Sequence, residues 1–248
     1  MENDTVSFVN QGIGSLWESW EKTLKTVDKG LRVPLVYPDL KQDVLLFIGL
    51  NPSFSLRNLR RVVRDTSYST IDPMEFYRWH NHGEFIRETE RFREIEHLAR
   101  LRLEYFRKFP EIAGSVFAGD TAKWEHIDLF FCRSTNQKDF AKRILRNKAM
   151  KTFVSAQLDL SKRLVHYIEP KAIIVANALA SEVFEEKLKD EFPLTWDEEY
   201  GCHVTMLKDK SISVFLASML TGQRAMDKGS YKRLKWHIKK VVEETSNG

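Results

Sequence analysis

The spacing of apolar residues changes along the chain, and each change marks an element. Residues 13 to 31 (IGSLWESWEKTLKTVDKGL) place Leu16, Trp17, Trp20, Leu24, Val27 and Leu31 at helical intervals, with Gly30 and Pro34 as limits. An irregular link through Pro34 and Pro38 leads into VLLFIG, a continuous apolar run that reads as a strand buried on both faces. It stops abruptly at Gly49, Asn51, Pro52 and Ser53, residues that make a tight turn and leave an amide at its tip. An Arg-rich stretch follows that suits a short helix, then an aromatic loop at 68 to 83. EFIRETERFREIEHLARLRLEYFRKF predicts a long amphipathic helix laced with opposite charges, ending before Pro110.

The second half alternates strand and helix. HIDLFFCRST (126 to 135) reads as a strand with a polar exit, and residues 150 to 168 as a helix halted near Pro170. KAIIVANALASEVFEEKL (171 to 188) passes from strand to helix at Asn177. HVTMLKD and SISVFLASML predict a hairpin turned at Asp209 and Lys210, and GSYKRLKWHIKKVVEET a closing helix with Ser230 as its N-cap. Strands alternating with helices predict a mostly parallel sheet covered on both faces. Without repeat, linker or low-complexity tract, residues 1 to 248 are expected to form a single domain.

Composition narrows the class. A chain of 248 residues, 42% of them hydrophobic, can bury one sizeable core. It has no apolar run of membrane-spanning length, and MENDTVSFVNQG lacks a signal-peptide pattern, so a cytoplasmic protein without a membrane partner is expected. Two cysteines, Cys132 and Cys202, are too few for a disulfide framework or a four-cysteine zinc site and are expected as buried thiols. His80 and His82 lack suitably spaced acidic or Cys partners, so no metal is expected. The net charge of +4 leans towards an anionic partner, and its distribution says more: one cluster, Arg57, Arg60, Arg61 and Arg64, directly follows the Asn51 turn.

Four expected strands end in polar exits: GLNPS (49 to 53), CRSTNQ (132 to 137), ANALA (176 to 180) and ASMLTGQR (217 to 224). In open α/β sheets ligands bind at such carboxyl ends. In this order the motifs resemble the uracil-DNA glycosylase superfamily. GLNPS is similar to the Gly-x-Asn-Pro-Gly/Ser turn of its mismatch-specific and single-strand-selective branches. IDLFFCRST resembles the thermostable branch's strand that carries an Asn and runs into Cys-Arg-Pro, and KAIIVANALASEVF that branch's third strand and helix. SMLTGQRAMDKGS stands where the family has His-Pro-Ser or Asn-Pro-Ser and a DNA-wedging loop. The likeness spans about residues 44–66 and 124–242, leaving 67–123 as an insertion. It implies a three-layer α/β/α sandwich with a short, mostly parallel central sheet.

The resemblance also implies roles. Hydrolysis of an N-glycosidic bond needs a flipped nucleotide, a positioned water and stabilisation of an oxocarbenium-like sugar. Asn51 would orient the water, accepting its hydrogen bond while the amide nitrogen donates elsewhere; it also fits a plain Asn-Pro turn. Asp128 falls where the family places the Asn that reads uracil. A carboxylate accepts from the cytosine N4 amino group, and a protonated one also donates to N3, so the swap points to a cytosine-type base. A strand-start Asp paired with Arg133 or Lys123 is the structural alternative. Gly49, Leu50, Phe54, Phe76, Tyr77 and Trp79 complete the candidate base site, with Phe54 nearest to act as a stacking lid. Ser53, Arg57, Ser218, Thr221, Gly222, Gln223 and Arg224 are the candidate DNA contacts. Ser218 and Met219 replace the family's His-Pro, which removes the imidazole that steadies a departing base.

The expectation is a monomeric, cofactor-free, monofunctional DNA glycosylase that leaves an abasic site. Its base would be cytosine or a modified cytosine, such as the glucosylated hydroxymethylcytosine of phage DNA, an antiviral role. A uracil or mismatch repair enzyme, an inactive DNA-binding module of the same fold, and a small-nucleoside hydrolase or binder are the alternatives.

Overall fold

Runs such as LLFIG and AIIVA present no polar face to water, so they require cover on both sides. In the computed structural model, which describes residues 4–222 and 224–246, helices supply that cover. The first half contains α1 (Asp4–Val27), β1 (Leu45–Gly49), α2 (Leu56–Val63), α3 (Pro73–Phe76), α4 (His82–Arg102), α5 (Lys108–Val116) and β2 (Trp124–Asp128). There follow α6 (Gln137–Phe140), a π-helical turn at Ala141–Leu145, α7 (Lys151–Ile168), β3 (Ala172–Ala176) and α8 (Ala178–Lys187). The chain closes with β4 (Thr195–Asp197), β5 (Cys202–Leu207), β6 (Lys210–Ala217) and α9 (Lys228–Ser246).

The chain divides into two compact units, each assembled from separated segments. The first comprises residues 1–39, 51–103 and 128–164; the second comprises 40–50, 104–127 and 165–248. The segment expected as an insertion, 67–123, is thus shared between them.

The second unit carries the sheet, a mixed one of six strands in the order β2-β1-β3-β6-β5-β4. β1, β3 and β6 are parallel neighbours, whereas β5 and β4 are added antiparallel. Alternate residues point to opposite faces. Leu45 and Phe47, Ala172 and Ile174, and Phe215 share one apolar cluster with Phe109, Ile112 and Ala113 of α5 and Ile238, Val241 and Val242 of α9. Phe47 and Phe109 stack at 4.2 Å. Leu46, Ile48, Ile173, Val175 and Val214 are equally buried but lie outside that cluster, and α8 packs on β3 and β6 with Ala180, Val183 and Phe184 inward. The architecture is α/β, with helices on both faces of the sheet.

The first unit is helical. Trp17 and Trp20 of α1 pack on Phe153 of α7. At Gly14 of α1 the side chain of Phe85 from α4 fills the space beside the backbone: a Cβ there would lie 2.6 Å from its ring. Asn10, buried in α1, donates to the Tyr37 carbonyl (2.9 Å) and accepts from its N–H (2.8 Å).

Several boundaries differ from those the sequence predicts. α1 begins at Asp4, because Val6, Val9 and Ile13 extend its buried stripe. The amphipathic helix ends at Arg102 instead of running to Pro110, which lies in the first turn of α5, where its missing N–H has no partner to lose. The strand expected over 126–135 stops at Asp128. Beyond it the backbone leaves the sheet: Phe131 donates to the Gln157 side chain (2.9 Å) and accepts from Leu35 N–H (2.9 Å). Asp128 is therefore a strand-end residue, not a strand-start one. Asp227, not Ser230, caps α9, accepting from the N–H groups of Gly229 (2.8 Å) and Ser230 (3.0 Å). The hairpin turns through Lys208 and Asp209, one residue earlier than expected. Among the described residues, no helix is long and apolar enough to cross a membrane.

Candidate functional site

Where β1 stops, the chain turns through Leu50, Asn51 and Pro52 and, within the first unit, runs beside the segment that follows β2. Ser134 N–H donates to the Pro52 carbonyl (2.9 Å) and Thr135 Oγ1 to the Phe54 carbonyl (2.6 Å). Asn51 closes this junction: its Nδ2 lies 3.2, 3.1 and 2.9 Å from the carbonyl oxygens of Pro52, Cys132 and Ser134. Only the NH2 end of an amide can face carbonyls, so chemistry fixes which way the side chain points. Its two protons are shared among three acceptors. Oδ1 has no hydrogen-bond partner among the described residues, and Asn51 is half-buried. The turn thus presents one immobilised acceptor, while Ser55 caps the N-terminus of α2 just beyond it.

Asp128 lies in the same unit, 5% exposed at the end of β2. Its N–H donates to the Tyr37 hydroxyl (3.1 Å), which donates in turn to the Asp128 carbonyl (3.2 Å). Burial, then the charge of Glu96, push its carboxyl up to about 8, with Arg133 and Arg100 opposing. The shift favours the neutral form, which can donate as well as accept. Arg133, 6% exposed, is held by the Val33 carbonyl at Nε (3.1 Å), by an ion pair with Glu96 and by the ring of Tyr77 at 4.6 Å. The expected partnership of Asp128 with Arg133 is thus electrostatic, and Arg133 is directly ion-paired to Glu96 instead. Glu96, Arg100 and Tyr37 escape a reading of sequence pattern. Their one signal is Glu96 itself, a charge inside the apolar stripe of Phe92, Ile95 and Ala99.

The aromatic candidates separate. Tyr77 (2% exposed) and Trp79 (3%) are core residues, and Phe76 is half-buried in a ring cluster with Tyr77 and Phe92. Phe54 is buried under the guanidinium of Arg32, 4.0 Å from its centroid. The short helix α3 accounts for this: capped by Asp72 and started by Pro73, it turns the expected loop inward. His80 and His82 diverge to different carboxylates, Glu75 and Glu18.

Of the DNA-contact candidates in this unit, Ser53 and Arg57 are exposed. Arg57, Arg60 and Arg64 lie at helical spacing along α2 and its end, have no acidic neighbour on that helix, and form no ion pair among the described residues. In the second unit, register aligns the carboxyl ends of β1, β3 and β6 at one edge, where Gly49 closes β1 and Leu50, Asn177 and Ser218 follow the three strands. Asn177 is consumed as the N-cap of α8. Ser218 and Arg224 are exposed, and Gly222 adopts φ +88°, a left-handed backbone that favours glycine. Thr221 is buried, its hydroxyl donating to the Tyr105 carbonyl (3.2 Å), so it is a structural residue; Gln223 lies outside the described residues.

Two outcomes follow. Asn51→Ala removes donors from partly buried carbonyls and is expected to lower stability by about 1–3 kcal/mol in urea denaturation. Asn51→Asp is expected to cost more than Asn51→Ala, because it turns a carboxylate oxygen towards the same carbonyls; an Asp variant as stable as wild type contradicts the assigned amide orientation. The second concerns pH. The Asp128 carboxyl keeps its proton to about 8 when folded, against an ordinary value of 3.8. The folded chain binds the extra proton between those values, so the contribution is complete below the lower one and is lost as pH rises through the upper. The decline is at most about 1.4 kcal/mol per pH unit, and Asp128→Asn is expected to flatten it in urea midpoints between about pH 5 and 8. An unaltered slope contradicts the assignment.

No protein-family model matches the chain, and no curated protein matches it.

Proposed function

We propose that the protein is a monofunctional DNA glycosylase that hydrolyses the N-glycosidic bond of a flipped cytosine-type base. One observation carries this reading: Asn51 spends its amide protons on the carbonyls of Pro52, Cys132 and Ser134, leaving a fixed Oδ1 at a half-buried turn after β1. A water that donates to that oxygen keeps a lone pair directed towards a sugar C1′. As the C1′–N bond breaks, the base leaves with the bonding electrons. Water oxygen bonds to C1′; one of its protons stays in the new hydroxyl and the other passes through solvent to the departing base. An amide is a weak base, so departure of the base leads and the sugar develops oxocarbenium character. The unpaired arginines of α2, next along the chain, suit the phosphates of such a substrate.

Asp128 bears on the base. A neutral carboxyl offers one donor and one acceptor, the complement of cytosine N3 and its N4 amino group. At 5% exposure it meets a base only if its present neighbours give way. A modified cytosine is the finer form of the proposal. A DNA-binding module without turnover is the second reading, favoured by Ser218 and Met219 at the place where the resemblance expects His-Pro.

The deciding measurement is mass spectrometry of bases released from DNA carrying uracil, cytosine, hydroxymethylcytosine or its glucosylated form. Release of a cytosine-type base is expected, falling by roughly 10²-fold or more in a folded Asn51→Ala variant that still binds DNA. No release from any substrate defeats the enzyme reading; release of uracil alone defeats the base assignment. In a separate titration, replacing Arg57, Arg60 and Arg64 with Gln is expected to reduce the slope of log affinity against log salt by about 0.9 for each phosphate no longer neutralised. A wild-type affinity for DNA that ignores salt would point instead to a small nucleoside.

A further inference from the structure

The outer face of α9, in the second unit, carries an aromatic side chain that takes no part in the core. The apolar positions of this helix, Tyr231, Ile238, Val241 and Val242, are buried against the sheet and α5. Trp236 falls on the opposite side by helical spacing and is 63% exposed. On a helix the surface neighbours of a residue are those three and four positions away. For Trp236 these are Lys232, Arg233, Lys239 and Lys240, all basic, and the Lys240 ammonium lies 5.6 Å from its ring centroid. The charge of this face is not cancelled. Lys239 pairs with Glu243 (3.6 Å), Lys240 with Glu244 (3.9 Å) and Lys235 with Glu111 (3.1 Å), a carboxylate that Lys108 shares at 3.0 Å. Asp227 acts on Arg233. Lys228 and Lys232, one and two turns before the indole, are exposed and form no ion pair among the described residues. With each of these carboxylates assigned to a cation, both lysines are left over.

We propose that the outer face of α9 is a docking surface for single-stranded nucleic acid, with a base stacked on Trp236 and the flanking phosphates held by Lys228, Lys232, Lys239 and Lys240. An indole ringed by cations complements a strand in which planar bases alternate with anionic phosphates. Lys228 to Lys240 covers about 18 Å of helix at about 1.5 Å per residue, room for several nucleotides. The ion pairs of Lys239 and Lys240 are half exposed and weak, so a phosphate can take the place of their carboxylates at little cost. A lipid surface fits less well, because an interfacial helix inserts an apolar stripe and the stripe of α9 is already buried. A duplex fits less well too, since its base faces are covered by one another. The surface belongs to the second unit alone and holds whether or not Asn51 supports hydrolysis of a glycosidic bond.

The test uses the full chain and an oligothymidylate, fluorescein-labelled for anisotropy and unlabelled for tryptophan emission. Saturable binding that quenches part of the emission is expected. Trp236→Ala should weaken it roughly tenfold and Trp236→Phe less, and the quench should be lost in both. Replacing Lys228 and Lys232 with Gln is expected to lower the slope of log affinity against log salt by about 0.7 for each phosphate no longer neutralised. All three side chains are exposed, and circular dichroism checks that the variants remain folded. Each comparison is repeated in a chain whose Arg57, Arg60 and Arg64 are Gln, so that α2 does not carry the signal. Affinity unchanged by Trp236→Ala in that chain overturns the proposal, as does a duplex that binds equally well. Binding found only with phosphatidylserine vesicles assigns the face to a membrane and overturns it too. No base is released in this assay, so its failure and that of the glycosylase reading are distinguishable.

Discussion

A chain that leaves a buried strand must find new partners for its carbonyls, and here one side-chain amide supplies several. Asn51 binds the carbonyls of Pro52, Cys132 and Ser134 at once, joining the turn after β1 to the segment after β2. Ser134 N–H and Thr135 Oγ1 add two further links. The turn therefore holds its shape through hydrogen bonds to a distant stretch of sequence, and a single oxygen at its tip remains unused.

Beside that junction the first unit buries charge. Glu96 and Arg133 form an ion pair largely shielded from water, close enough to Asp128 for both charges to act on its carboxyl. Buried pairs of this kind seldom add stability over an apolar core, whereas removal of one member is costly. The two members act on Asp128 in opposite senses: burial chiefly, and then the charge of Glu96, favour its neutral carboxyl, while Arg133 opposes. The same unit leaves the Nε of Arg143 buried without a partner beside one small cavity. Unused hydrogen-bonding capacity thus gathers on residues near the 132–134 segment.

Local pattern located some of this and misled elsewhere. The apolar runs of β1 and β3 and the passage from strand to helix at Asn177 depend on neighbours in sequence, so they are legible there. LFF at 129–131 is as apolar as a strand, but its backbone partners are Gln157 and Leu35, remote residues that no window includes. Tyr77 and Trp79 show the same limit: an aromatic near a motif has the same composition whether it lines a site or fills a core, and packing against Phe92 and Phe85 settles it.

The sequence by itself determined the alternation of strands and helices, the four polar exits, the basic run after the Asn51 turn and the exclusion of a cysteine-based framework, because each is a property of adjacent residues. Tertiary structure alone decided which end of the Asn51 amide is free, that Asp128 is buried where its protonated form is favoured, and that Arg133 pairs with Glu96. Hydrogen-bond satisfaction and burial are relations between residues far apart in the chain, and only folding brings those residues together.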